Sequence, residues 1–191
     1  MSNKGNTLSS ALKEETKEAH QALEAVIVKQ IKGIRNREEY ERLLHKFYGY
    51  HFPLEQQFDQ YFDNESIPHY TERRRADLIL KDLANLGNNN VMIPLAGDIP
   101  SVDSTAKALG AFYVLEGSTN GGTIVAGMLI KYAGLTPETT SFFYAYGDDK
   151  KYMWPSFKEK LDSYPADEQF RSQVIEAANE TFLKFKEWMV R

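Results

Sequence analysis

Apolar residues recur at steps of three and four along most of this 191-residue chain, and that spacing commits it to helices before anything else is considered. Leu8, Leu12, Thr16, Ala19, Leu23, Val26 and Ile27 trace one such stripe, and Tyr40, Leu43, Leu44, Phe47, Tyr48 and Tyr50 a second. The only strand-like run, Val91 to Pro100, contains Pro94, Gly97 and Pro100. It reads as a loop, because proline cannot donate to a sheet ladder.

Cap and stop residues divide the pattern. Ser9 or Ser10 is expected to cap the first helix, with Glu14 and Glu15 near its positive end and Gly33 as its stop. Asn36 caps a second helix from Arg37, in which Pro53 predicts a kink or break before Leu54 to Phe62. A third helix fits Glu72 to Leu86, and Ser104 caps a central one over Thr105 to Tyr132. Two more run from Trp154 to about Tyr164 and from Asp167 to the C-terminus. The chain is read as all-α and single-domain: a flexible N-terminal arm over 1–7 and one helical bundle over 8–191.

The chain is 42% hydrophobic, enough to bury one sizeable core. With no cysteine there is no disulfide, thiolate metal site or cysteine nucleophile. That composition is compatible with a cytoplasmic protein. The 23 basic residues are outweighed by 27 acidic ones, which argues against nucleic-acid binding held by phosphate contacts. No apolar run has the length of a membrane span, and Met1 to Asn6 lacks the apolar segment of a signal peptide.

Thr16, His20, Leu23 and Ile27 are spaced four, three and four, which puts His20 on or beside the buried face. Lys13, Lys17, His20 and Glu24 form a neighbouring stripe, with Lys17 ~4.5 Å and Lys13 ~10 Å up the helix from His20. Glu24, one turn on, could accept the second ring N–H of a metal-bound His20. Residue pattern alone favours a core or surface histidine with a solvated lysine face over a ligand. None of His20, His45, His51 and His69 follows a glutamate by three residues, so the paired Glu-x-x-His motif of di-iron bundles is missing. No two histidines are four apart, so a His-x-x-x-His zinc pair is missing as well.

The strongest local anomaly is the run Leu115-Glu116-Gly117-Ser118-Thr119-Asn120-Gly121-Gly122-Thr123. Each glycine inside a helix costs ~1 kcal/mol relative to alanine. Three so close together need a reason: close approach of the backbone to something flat or bulky, or helix packing through Gly117-x-x-x-Gly121. A phosphate loop fails because Thr123, not lysine, follows Gly122. A nucleophile elbow around Ser118 fails because Asn120 replaces its second glycine. The last third is aromatic, with Phe142, Phe143, Tyr144, Tyr146, Trp154, Phe157, Phe182, Phe185 and Trp188, and Lys158 reads by default as a solvated lysine.

Three blocks together resemble a heme oxygenase: Leu8 through His20, Leu109 through Gly122, and Phe142 through Phe157 followed by Val174 to Trp188. The resemblance implies a helical bundle with a glycine-kinked distal helix. It implies His20 as the axial ligand of heme iron, with Glu24 hydrogen-bonded behind it. Lys13, Lys17 and Lys158 would meet the heme propionates, and Tyr113 would stand near one of them. Gly117, Gly121 and Gly122 would carry the distal helix over the heme, with Ser118 and Asn120 helping to order water there. Heme b would be both cofactor and substrate, cleaved with O₂ and electrons from an external donor (a ferredoxin, a flavodoxin or a similar reductase) to biliverdin, CO and Fe²⁺. Ser118 stands where mammalian members carry an aspartate, and Asn120 where bacterial relatives commonly carry an apolar residue. The loop from Leu161 to Pro165 reads as shortened and offers no arginine to a propionate. A non-catalytic heme-binding or heme-sensing protein on the same fold is the alternative. The lack of cysteine disfavours a thiaminase-like enzyme.

Overall fold

A computed structural model describes residues 7–89, 92–164 and 167–191. Among them there is no strand, and nine α-helices follow in chain order. These are α1 (Leu8–Glu15), α2 (Lys17–Gly33), α3 (Arg37–Phe58), α4 (Asp77–Asn85), α5 (Thr105–Gly117), α6 (Thr119–Ala133), α7 (Ser141–Tyr144), α8 (Lys150–Ser163) and α9 (Glu168–Val190). Short 3₁₀ turns at Tyr70–Glu72, Pro137–Thr139 and Gly147–Asp149 complete the set. All but Thr7 of the expected 1–7 arm lies outside the described residues, and Thr7 belongs to the fold as a helix cap.

The first expected helix is two. Thr7, not Ser9 or Ser10, caps α1 by accepting the Ser10 N–H. Glu14 and Glu15 therefore stand at the C-terminal end of α1 rather than at its positive end. At Thr16 the hydroxyl donates to the Leu12 carbonyl at 2.6 Å. A threonine bonded back to its own preceding turn bends a helix, and α2 starts one residue later. Asn36 caps α3 as expected, accepting the Glu39 N–H.

Pro53 does not break α3, which runs unbroken to Phe58. Its ring removes the N–H that would bond the Gly49 carbonyl. The Ala96 N–H donates to that carbonyl instead, at 2.9 Å. The loop that supplies it needs Gly49: a Cβ there would stand 2.4 Å from the Pro94 carbonyl oxygen. Residues 92–103 thus take the place of the missing helical bond. The third expected helix begins later than Glu72, because Tyr70–Glu72 is a separate turn entered through a left-handed His69 at φ 58°. The helix expected from Trp154 begins at Lys150, so Pro155 sits in its second turn.

Helix α5 is the centre of the bundle, buried from Ala106 to Glu116 apart from Lys107, and lies along α9. The approach is close at Gly110, where a Cβ would meet the Val174 carbonyl oxygen at 2.2 Å. Helix α2 packs on α9 and against α6. The core is strongly aromatic: Phe47 meets Phe142, Phe143 and Phe185 edge-on, and Tyr50 stacks on Phe185 at 4.4 Å. No described helix is long and apolar enough to cross a membrane.

Candidate functional site

Helix α2 buries Leu23 and Ile31 and leaves His20 outside. His20 lies beside the buried face rather than on it: it is exposed, with its ring 5.4 Å from that of the buried Phe182. Lys17 and Glu24 are exposed too, as is Lys13, but the break at Thr16 leaves Lys13 on α1, so the expected single-helix stripe is split between α1 and α2. Among the described residues no hydrogen bond or ion pair joins His20 to Glu24, so the imidazole offers both ring nitrogens to whatever lies beside it.

Facing α2 stands α6, which follows α5 after a one-residue interruption at Ser118. The expected break in the central helix is therefore present. None of its glycines has a positive φ, so left-handed backbone does not cause it. Three consecutive side chains do. Ser118 Oγ donates to the Leu115 carbonyl at 2.6 Å, Thr119 Oγ1 to Glu116 at 2.7 Å, and Asn120 Nδ2 to Gly117 at 3.1 Å. Each competes for carbonyls that a regular helix would give to backbone N–H groups. Lys150 Nζ donates to the Asn120 carbonyl at 2.6 Å and so ties the start of α6 to α8.

The glycines divide by what surrounds them. A Cβ on Gly122 would stand 2.1 Å from the Phe143 carbonyl oxygen, so this glycine lets α7 lie against α6. A Cβ on Gly117 would meet the Trp154 ring at 3.3 Å. Gly121 has nothing within 4 Å of its would-be Cβ and is exposed. The expected packing through Gly117-x-x-x-Gly121 fails at Gly121: Gly117 packs on Trp154 and Gly122 on α7, while Gly121 and Gly127 leave α6 open. One turn from Gly121, Ile124 is 71% exposed, an apolar side chain with nothing over it.

Trp154 organises the other flank. Its ring lies 5.4 Å from Tyr113 and 5.8 Å from Phe157, and Lys158 Nζ sits 5.9 Å from it. Burial pushes the Tyr113 hydroxyl above the usual tyrosine range. Lys158 is half-buried on aromatic surface rather than a free surface lysine. Leu161 to Ser163, read from sequence as part of a loop, form the last turn of α8, and Pro165 lies outside the described residues.

Sequence reasoning missed Arg73, Arg74, Arg75 and their partners. Arg73 and Glu116 are a buried ion pair at 2.5 Å, their side chains 1% and 2% exposed. Glu116 also accepts the Tyr146 hydroxyl at 2.8 Å, and that oxygen accepts the Arg74 backbone N–H at 2.8 Å. Arg74 Nη2 reaches the Leu115 carbonyl and the Ser118 hydroxyl. Arg75 pairs with Asp59 at 2.8 Å, and that hydrogen bond holds the Asp59 carboxyl below its usual range. Three adjacent arginines in a chain of net charge −4 were the available signal.

Among the described residues no cluster of carboxylates, histidines and cysteines could hold a bare metal ion. The donor set fits a flat apolar ligand better. One unpartnered imidazole stands on α2, an open, glycine-containing stretch with exposed Ile124 on α6, and lysines on the flanking helices α1 and α8. Lysines there would meet acidic groups on such a ligand.

Comparison with known proteins gives the chain a family and its fold relatives. Residues 6–191 match the sequence profile of the heme oxygenase family. The fold is similar to the NO- and CO-bound heme oxygenase from Neisseria meningitidis, with a TM-score of 0.80 and 22% identity over 96% of this chain and 90% of that one. It is similar to heme oxygenase from Leptospira interrogans, with a TM-score of 0.76 and 21% identity over 96% and 98%. It is also similar to heme oxygenase-1 from the cyanobacterium Synechocystis sp. PCC6803 in complex with heme, with a TM-score of 0.80 and 18% identity over 97% and 91%. Identities this low speak for the fold. No curated protein sequence matches the chain.

Proposed function

The chain belongs to the heme oxygenase family, whose profile spans nearly its whole length, and from that premise we propose that heme is held between His20 of α2 and the open stretch of α6, and is degraded there. The observation that carries this placement is the exposed, unpartnered His20 on a helix packed against α6, where Gly121 has open space and Ile124 is bare.

Heme, when bound, supplies the iron that takes O₂ and the porphyrin that is oxidised to biliverdin, CO and Fe²⁺. The chain's residues do the rest. His20 would hold the iron through a ring nitrogen. Glu24, one turn away and exposed, stands within reach of the other nitrogen once the ring is fixed. Lys13, Lys17 and Lys158 offset the propionate charges, with the Tyr113 hydroxyl beside the Trp154 ring on the same flank. Gly121, with open space beside it, would let backbone approach the heme, and the exposed Ile124 would keep bulk water from it. The Ser118 hydroxyl donates to the Leu115 carbonyl and accepts from Arg74 Nη2, so toward an ordered water it has one lone pair left and no proton to give. Asn120 gives one amide N–H to the Gly117 carbonyl and keeps its second N–H and its Oδ1 for such a water. Electrons come from an external donor of ferredoxin or flavodoxin type, in a cytoplasmic setting.

Hemin titration of the apoprotein tests the placement. Wild type binds one hemin with a histidine-ligated spectrum, and His20→Ala loses that spectrum. Because the His20 side chain is exposed and has no hydrogen-bond partner among the described residues, the apo form of His20→Ala unfolds within ~0.5 kcal/mol of wild type. An unchanged axial-ligand signature in resonance Raman removes His20 from the iron.

A further inference from the structure

Helix α1 carries Lys13 and leads into the helix of His20, yet it is only eight residues long. Its far end is tied to α9, where Asn179 Nδ2 donates to the Glu15 carbonyl at 3.3 Å and Arg171 lies 3.7 Å from the Glu15 carboxylate. Its near end is tied to α8 by one residue. Asp162 Oδ1 accepts the Ser9 N–H at 2.7 Å, and Oδ2 accepts the Ser9 hydroxyl at 2.8 Å. Among the described residues no other hydrogen bond joins the two helices. Thr7 satisfies the Ser10 N–H, so the first turn of α1 is capped once by its own chain and once from α8. A carboxylate at that position is favoured by the partial positive charge of the helix N-terminus.

The register of the two helices gives this contact a consequence. Ser9 and Lys13 are one turn apart on one face of α1, and Lys158 and Asp162 are one turn apart on one face of α8. Helix α8 ends at Ser163, so all of it that can lie beside α1 runs back from Asp162. Leu8 and Leu12 of α1 and Phe157 and Leu161 of α8 are buried in the same core. Each lysine is therefore one turn from the Ser9–Asp162 contact, Lys13 toward the C-terminal end of α1 and Lys158 toward the N-terminal end of α8.

Resting on the heme placement above, we propose that Asp162 is a positioning residue for the propionate edge: by clamping Ser9 it sets the spacing of Lys13 and Lys158, and with it the rotation in which heme is held. It touches neither the iron nor the reacting carbons.

The test uses the full chain with Asp162→Ala, Asp162→Asn, Ser9→Ala and the Ser9→Ala/Asp162→Ala pair. Hemin orientation is read from the heme-methyl proton resonances of the ferric cyanide complex, hemin release from transfer to apomyoglobin, and the product from the biliverdin isomer ratio. Loss of a cap of this kind predicts hemin release about threefold to tenfold faster in Asp162→Ala, a changed orientation ratio and a changed isomer ratio. The double variant adds nothing further, because both changes remove one contact. Asp59→Ala, which removes a carboxylate paired with Arg75 away from this edge, is the stability control and keeps the wild-type orientation ratio. If Asp162→Ala does not fold, Asp162→Asn and Ser9→Ala carry the same expectation at smaller size. Wild-type orientation and release in the Asp162 and Ser9 variants overturn the proposal. A wild-type protein that binds hemin without His20, or not at all, overturns the placement beneath it instead.

Discussion

A single nitrogen of Arg74, Nη2, donates to the Leu115 carbonyl at 2.6 Å and to the Ser118 hydroxyl at 2.7 Å, so a loop side chain holds the last turn of α5 at the point where the helix breaks. The guanidinium carbon lies 4.4 Å from the Phe142 ring centre, which fixes the side chain from behind. Arg74, Ser118 and Leu115 therefore act as one unit. In the unfolding of the apoprotein by urea, Arg74→Met and Ser118→Ala are each expected to cost about 1–2 kcal/mol. A double-mutant cycle is expected to return a coupling of about 0.5–1.5 kcal/mol. Additive losses would mean that the two residues stabilise the break separately.

Gly121 and Gly122 are neighbours with opposite surroundings, and alanine separates them. At Gly121 the methyl enters open space, so the apoprotein gains helix propensity worth up to ~1 kcal/mol, or ~2–4 °C in Tm. The same methyl stands in the proposed heme space, so hemin affinity or biliverdin formation falls. At Gly122 it strikes the Phe143 carbonyl oxygen, backbone that cannot turn away, and the cost is about 1–3 kcal/mol of apo stability. Thermal scans with and without hemin decide the matter. Equal destabilisation of both variants would return Gly121 to a packing role.

The periodicity of Leu8 to Ile27 and of Tyr40 to Tyr50 was legible because each helix has one wet face. The glycine run was legible as an anomaly, but not its division of labour, since Gly121 and Gly122 differ only in what another helix places beside them. Pro53 predicts a break from local chemistry, and the chain defeats that prediction with an Ala96 N–H forty-seven residues from the Gly49 carbonyl it bonds. Arg73 to Arg75 were passed over for a related reason. Their partners Asp59, Glu116 and Ser118 lie on other elements, and no spacing rule connects them. His20 was legible as a candidate from its stripe, and the resemblance raised it above the other three histidines. Its exposure belongs to the tertiary packing of α2 on α9.

His51 gives the protein an acid sensitivity of its own. The side chain is 1% exposed, ringed by Phe47, Phe142 and Phe185, with Nδ1 3.8 Å from Glu55. Burial holds its pKa below the ordinary 6.5, Arg74 pushes the same way, and Glu55 opposes both. The unfolded chain therefore takes up a proton as pH falls through 6.5 that the folded chain does not, and stability drops on the acid side. His51→Phe completes the aromatic box and removes that proton. Its stability–pH curve below 6.5 should be shallower than wild type by up to ~1.4 kcal/mol per pH unit. Superimposable acid limbs in urea unfolding at pH 5 to 7 would locate the sensitivity elsewhere.

Glu116 lies one residue before Gly117 and takes no direct part in the proposed site, yet the arrangement behind that site depends on its charge. One carboxylate oxygen meets Arg73 and the other accepts the Tyr146 hydroxyl. Glu116→Gln keeps the shape. With its amide oxygen toward Arg73, the new NH₂ group faces a Tyr146 oxygen that already accepts the Arg74 N–H, and the tyrosine proton loses its acceptor. Arg73 keeps the Pro68 and Met153 carbonyls and the Ser156 hydroxyl but no longer has a buried counter-charge. Breaking a buried pair on one side costs about 3–5 kcal/mol, and the surviving partners of Arg73 place this variant near the lower figure. Tyr146→Phe, which leaves the ion pair intact, should cost about 1–2 kcal/mol. Hemin bound per folded molecule should be unchanged in both, because His20 and Gly121 belong to other helices. A loss below ~1 kcal/mol for Glu116→Gln would show that the carbonyls and Ser156, not the carboxylate, hold Arg73 in the core.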